Sequence, residues 1–164
     1  MSTLTVWKFK SADGAENALA KLEELQKQQV VQVLDAAVVS WPQGRKRPKT
    51  YQAFNTAGAG ALGGAFWGML FGLIFFVPLL GMAMGAALGA LSGKFTDYGI
   101  NDEFIQDLQD KVTEGTSALF LLTGQVTIDK VEAAFAPEER GELIQSNLST
   151  EQETKLREDF GAEV

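Results

Sequence analysis

Gly60-Ala-Leu-Gly-Gly64-Ala-Phe-Trp-Gly68-Met-Leu-Phe-Gly72-Leu-Ile-Phe-Phe-Val-Pro78-Leu-Leu-Gly81-Met-Ala-Met-Gly85-Ala-Ala-Leu-Gly89-Ala-Leu-Ser-Gly93 divides the chain into three. From Thr50 to Gly93 there is no Asp, Glu, Lys or Arg, and ten of the 17 glycines fall in that window. Gly60, Gly64, Gly68 and Gly72 are four apart, as are Gly81, Gly85, Gly89 and Gly93. On a helix each set lies on one face, where the missing Cβ atoms let a second helix approach until the backbones touch. A glycine in a water-exposed helix costs about 1 kcal/mol, so close packing must offset the eight of them. The opposite faces carry Leu62, Phe66, Met69 and Leu70, then Met82, Leu88 and Leu91. Between the arms lies the apolar tip, Leu73, Ile74, Phe75, Phe76, Val77, Pro78, Leu79 and Leu80. Pro78 disfavours helix at the residue before it and marks the bend.

Each arm runs to roughly 15–20 residues, at or below the ~20 that span a bilayer. Arg45, Lys46, Arg47 and Lys49 precede the first arm and Lys94 follows the second. By the positive-inside rule both ends face the cytoplasm, and these five side chains are candidate contacts for lipid headgroups. Three placements fit the segment. It inserts into a membrane, it bundles at the centre of a homo-oligomer, or it packs within one monomer. Its low charge and glycine faces favour the first, with the sheet regions on either side forming a separable unit.

Outward from the segment, the pattern changes to short strands and amphipathic helices. Thr3–Phe9 is β-branched and aromatic, a strand. Asp13 with Glu16 resembles a capping box, and Ala15, Ala18, Leu19, Leu22 and Leu25 follow helical spacing to about Gln28. Val33–Trp41 reads as a second strand, turned at Trp41-Pro42-Gln43-Gly44 into a short edge strand within Arg45–Tyr51. Beyond the segment, Asn101–Val112 reads as a helix with Phe104, Ile105, Leu108 and Val112 on one side. Ser117–Leu122 then forms a strand, Thr127–Phe135 a helix and Gly141–Leu148 a strand. A final polar helix opens at Ser149 with Gln152 completing a capping box.

Two strand–helix–strand units give an α+β chain with a split β-α-β (ferredoxin-like) sheet, interrupted by the Gly-zipper apolar helical hairpin. The expected divisions are 1–52 for the first unit and 53–95 for the hairpin. Residues 96–148 form a helix plus the second unit, and 149–164 the C-terminal polar helix.

The chain of 164 residues has neither Cys nor His and a net charge of −7. Disulfides, thiolate nucleophiles and Cys-type zinc are thereby excluded, and the commonest acid–base side chain is missing. Residues 1–49 balance to +3 and residues 94–164 to −10, which argues against nucleic acid as a partner. Gly58-Ala-Gly60-Ala-Leu-Gly63 matches a dinucleotide fingerprint by letters alone. The acidic residue needed about twenty positions on is absent, the first acid being Asp97. Asp97, Asp102 and Glu103 lack the order of an EF-hand loop. Glu23-Glu24 and Glu138-Glu139 are adjacent, so helical geometry points them apart. No catalytic, cofactor-binding or metal-binding residue is assigned, and no small-molecule substrate is implied.

Asp97-Tyr-Gly-Ile-Asn-Asp-Glu-Phe104, followed by Glu114-Gly-Thr-Ser-Ala-Leu-Phe-Leu-Leu122, resembles the signature of the domain-of-unknown-function 1269 family of bacterial predicted membrane proteins. The glycine segment and the N-terminal strand–helix–strand resemble that family too. Where such families commonly have Pro before the glycine, Glu114 stands here. The resemblance implies a membrane-associated ferredoxin-like protein and supplies no activity and no catalytic residues.

The reading from sequence is a non-enzymatic, membrane-associated homo-oligomer of structural or regulatory role, with envelope stress as a candidate setting, self-associating through its glycine faces. Its partners are its own copies and membrane lipid. Its place is the bacterial inner membrane with the sheet in the cytoplasm, or alternatively the cytoplasm itself. Two further readings stay open. One is an oligomeric pore; the other is a soluble homo-oligomer or hydrophobic-ligand carrier with the hairpins at its centre.

Overall fold

A computed structural model describes residues 2–28, 33–46, 48–52, 64–76, 95–96, 98–124, 129–131, 133, 142–149, 151–152 and 154–156. Its strands are β1 (Ser2–Phe9), β2 (Val33–Ser40), β3 (Lys49–Gln52), β4 (Ser117–Gly124) and β5 (Glu142–Leu148). Its helices are α1 (Gly14–Lys27), α2 (Gly64–Phe71), continued by a π turn over Gly72–Phe76, and α3 (Asp102–Lys111). The chain is of mixed α+β class.

The strands form one sheet in the order β3-β2-β4-β1-β5, with every neighbouring pair antiparallel. β4 is the centre. It pairs with β1 from Ser2↔Gly124 to Phe9↔Ser117 and with β2 from Val33↔Thr123 to Ser40↔Ser117. One end of the sheet therefore gathers Phe9, Ser40, Lys49, Ser117 and Glu142.

Side chains alternate between the two faces of a strand, and here both faces are covered. On one, Trp7, Ala36, Val38, Leu119 and Leu121 meet Ala15, Ala18, Leu19 and Leu22 of α1, together with Val131. On the other, Leu4, Val6, Ala37, Val39, Phe120, Leu122 and Ile144 meet α2, the π turn and α3. A strand buried on both faces loses the apolar–polar alternation and reads as a continuous apolar run, as Ala118–Leu122 does.

This second core joins the described part of the glycine segment to the sheet. Trp67, Leu70, Phe71, Leu73, Ile74 and Phe75 are each at most 3% exposed and lie in one cluster with the sheet. Without them the face carrying Phe120 would meet water.

Helix starts follow the expected chemistry at two of three places. Asn101 accepts a hydrogen bond from the Phe104 amide at 2.9 Å, capping α3. Ser149 and Gln152 form the reciprocal capping-box pair, at 2.8 and 3.1 Å. At α1, Asp13 makes no side-chain cap. The hydroxyl of Ser117, on β4, accepts from the Ala15 amide at 2.9 Å and donates to the Ser11 carbonyl at 2.7 Å.

Candidate functional site

The site is the apolar helix α2 with its π turn, and the β2–β3 hairpin it leans on. Trp67 opens the contact. Its indole N–H donates to Asp35 Oδ2 at 2.9 Å, and the Ala36 amide donates to Oδ1 of the same carboxylate at 2.8 Å. Asp35 is fully buried and follows a register shift in β2, an irregularity of the kind that re-aims a side chain. A buried carboxylate is tolerated only where its oxygens accept hydrogen bonds, and here those bonds fasten the start of α2 to the sheet.

From Trp67 the aromatic side chains descend along the sheet. Trp67 stacks on Phe71 at 5.8 Å between centroids, and both meet Phe120 edge-on, at 6.3 and 5.1 Å. Phe71 continues to Phe75 at 6.2 Å, and Phe75 meets Trp41 edge-on at 6.2 Å. The wider π turn buries three consecutive residues, Leu73, Ile74 and Phe75, which an α-helix of 3.6 residues per turn does not do on one face. π turns disturb the carbonyl ladder. Gln109 of α3 donates to the Leu73 carbonyl at 3.4 Å, and Pro78, which has no N–H to offer Ile74, follows in sequence.

The other side of α2 is open. A Cβ built on Gly68 or on Gly72 meets nothing within 4 Å, and Met69 is 41% exposed. Gly64 opens the helix. Of the predicted tip, Leu73, Ile74 and Phe75 are buried in the chain's own core and Phe76 closes the π turn. Gly60, Gly81, Gly85, Gly89, Gly93, Val77, Pro78, Leu79, Leu80, Arg47 and Lys94 lie outside the described residues.

Arg45, Lys46 and Lys49 are exposed on the hairpin between β2 and β3. That hairpin is tied down between Trp41 and Arg45. The Trp41 amide donates to the Thr116 carbonyl at 3.0 Å, and the Gly115 amide donates back to the Trp41 carbonyl at 2.6 Å. The Trp41 indole donates to the Arg45 carbonyl at 2.9 Å. Glu114 accepts from the Gly44 amide at 3.2 Å and from the Gln43 side chain at 3.4 Å. Gly115 holds a φ of 85° with the Gln43 oxygen 2.7 Å from where a Cβ would stand, a left-handed position that suits glycine.

Two other polar contacts flank the site. Lys111 and Glu142 pair at 2.8 Å; the hydrogen bond between them raises the lysine pKa and lowers that of the glutamate. Tyr51 of β3 lies on the α1 side of the sheet. Burial raises its pKa, assisted by the charge of Glu16 and by a hydrogen bond to it. No group of three or more potential metal ligands is found among the described residues. Nor is any helix among them long and apolar enough to cross a membrane.

Asp35, Glu114 and Ser117 were not singled out for these roles by sequence reasoning. Each acts on a partner distant in the chain, except that an acidic residue inside the apolar strand Val33–Ser40 was itself a visible signal.

A family model described as "Protein of unknown function (DUF1269)" matches residues 61–161, more than half of the chain. No curated protein and no solved structure matches it.

Proposed function

This chain belongs to the DUF1269 family of unknown function, and we propose that it is a non-enzymatic, membrane-associated protein that self-associates through the open glycine face of α2. Its role on this reading is structural or regulatory. The observation that carries the reading is the open face at Gly68, Met69 and Gly72, set in a stretch without a charged residue. An apolar helix face with no Cβ in the way is suited to a second helix. The strand order β2-β4-β1-β5 supports taking the sheet as a ferredoxin-like split β-α-β pair, with β3 added at one edge. The glycine segment is then an insertion between its halves.

A soluble homo-oligomer with the apolar segments at its centre is the second reading. It is favoured by the burial of Trp67, Leu70, Phe71, Leu73, Ile74 and Phe75 against the chain's own sheet, which keeps them from lipid.

Fractionation followed by an alkaline carbonate wash separates the two. Retention in the washed pellet is expected for the membrane reading. Release without detergent as a large, defined particle replaces it with the second.

A further inference from the structure

Building on the membrane reading above, we infer that the β2–β3 hairpin is a preformed docking lip for the headgroups of an anionic bilayer, with Arg45, Lys46 and Lys49 as its contacts and Glu114 as the residue that positions it. Three observations meet here. The first is place. Trp41, at the base of the hairpin, packs edge-on against Phe75, so the basic loop stands beside the end of the π turn.

The second is charge. The chain carries −7 overall, so an anionic surface repels it on average and only a local positive patch can orient it. Among the described residues, Asp13, Glu114 and Glu142 are acids at this edge. Glu142 is paired with Lys111, and Glu114 is engaged with the hairpin's own Gly44 amide and Gln43. Lys10 is exposed on the same edge, next to the segment where Ser40 and Ser117 hold the Ala12 and Ser11 carbonyls.

The third is rigidity. A flexible loop loses conformational freedom when it binds, whereas one already tied down does not. The Trp41 indole, the Trp41–Thr116 and Gly115–Trp41 backbone bonds and the Glu114 carboxylate hold this hairpin before any lipid arrives.

The full-length protein is mixed with phosphatidylcholine vesicles and with vesicles of equal parts phosphatidylcholine and phosphatidylglycerol, and binding is measured by flotation. Tighter binding to the anionic vesicles is expected. Arg45→Gln with Lys46→Gln should weaken that binding by about five-fold for each residue, with binding to phosphatidylcholine and the thermal midpoint unchanged. Glu114→Ala gives the sharper test, since it removes a negative charge and also releases the loop. Weaker anionic binding at an unchanged thermal midpoint supports positioning by Glu114; tighter binding overturns it. Equal binding of the unaltered protein to both compositions overturns the docking lip and leaves the membrane reading standing. Failure to bind either vesicle overturns the membrane reading, and the lip with it.

Discussion

Asp35 is the residue on which the second face of the sheet turns. Its carboxylate is fully buried, and the Trp67 indole is one of the donors that make that burial tolerable. Trp67→Phe keeps an aromatic ring and removes that donor. We expect a loss of about 1–3 kcal/mol, the cost of a buried polar group deprived of a partner, read as a lower urea midpoint with little change in slope. Tyr51 gives a prediction in pH. Its folded pKa is raised above 10.0, so its contribution is whole below that value and is lost as pH rises through the folded pKa. Tyr51→Phe should therefore lower stability slightly at neutral pH, where that contribution is present, and flatten the decline above pH 10.0, as checked by denaturation at neutral and stepped alkaline pH. Sequence alone reached the caps at Asn101 and Ser149, because donor and acceptor stand three residues apart. It assigned the α1 start to Asp13, because the hydroxyl that does the work is on Ser117, 102 positions from Ala15.

At the scale of the element, α2 has two unlike sides. One is locked to the sheet by Trp67, Leu70 and Phe71; the other carries Gly68 with open space where a side chain would be. Gly68→Ala should thus raise the stability of the isolated fold by about 1 kcal/mol through helix propensity. Under the proposed function it should also weaken self-association, because the added methyl holds the partner helix away. Thermal denaturation and sedimentation of the same samples separate the two effects. Unchanged assembly would remove this face from the interface. Periodicity made α1 and α3 legible, since their apolar residues recur on one side. It was less informative for α2, where nearly every residue is apolar and the glycines alone distinguish the sides. The π turn was invisible for the same reason, as no polar residue marks the change of pitch between Gly72 and Phe76.

For the whole molecule, the two covered faces make the sheet the middle of a three-layer arrangement. The division into a sheet domain and an appended apolar segment followed composition, which changes abruptly at Lys49 and Lys94. Packing follows another boundary. Phe120 meets Trp67 and Phe71, and α3 reaches the π turn through Gln109. Deleting residues 56–93 should consequently yield a chain without a cooperative unfolding transition, since it uncovers the sheet face that bears Leu4, Val6, Val39 and Phe120. Circular dichroism with a thermal melt checks this; a sharp transition in the truncated chain would show that α3 and the sheet suffice. Short β-branched, aromatic and apolar runs announced most of the sheet, yet the order of its strands rests on pairings between residues more than a hundred positions apart, such as Ser2↔Gly124.

The central place of β4 has a consequence in time. β1 and β2 are not neighbours in the sheet, since β4 lies between them, and β4 begins at Ser117. A chain made from its N-terminus therefore completes its entire charge-free stretch before the strand that Trp67 and Phe71 will rest on has been synthesised. For that interval the nascent chain offers a long greasy segment with no scaffold to receive it. Whatever apolar surface stands nearest the ribosome then has the first opportunity to take it up.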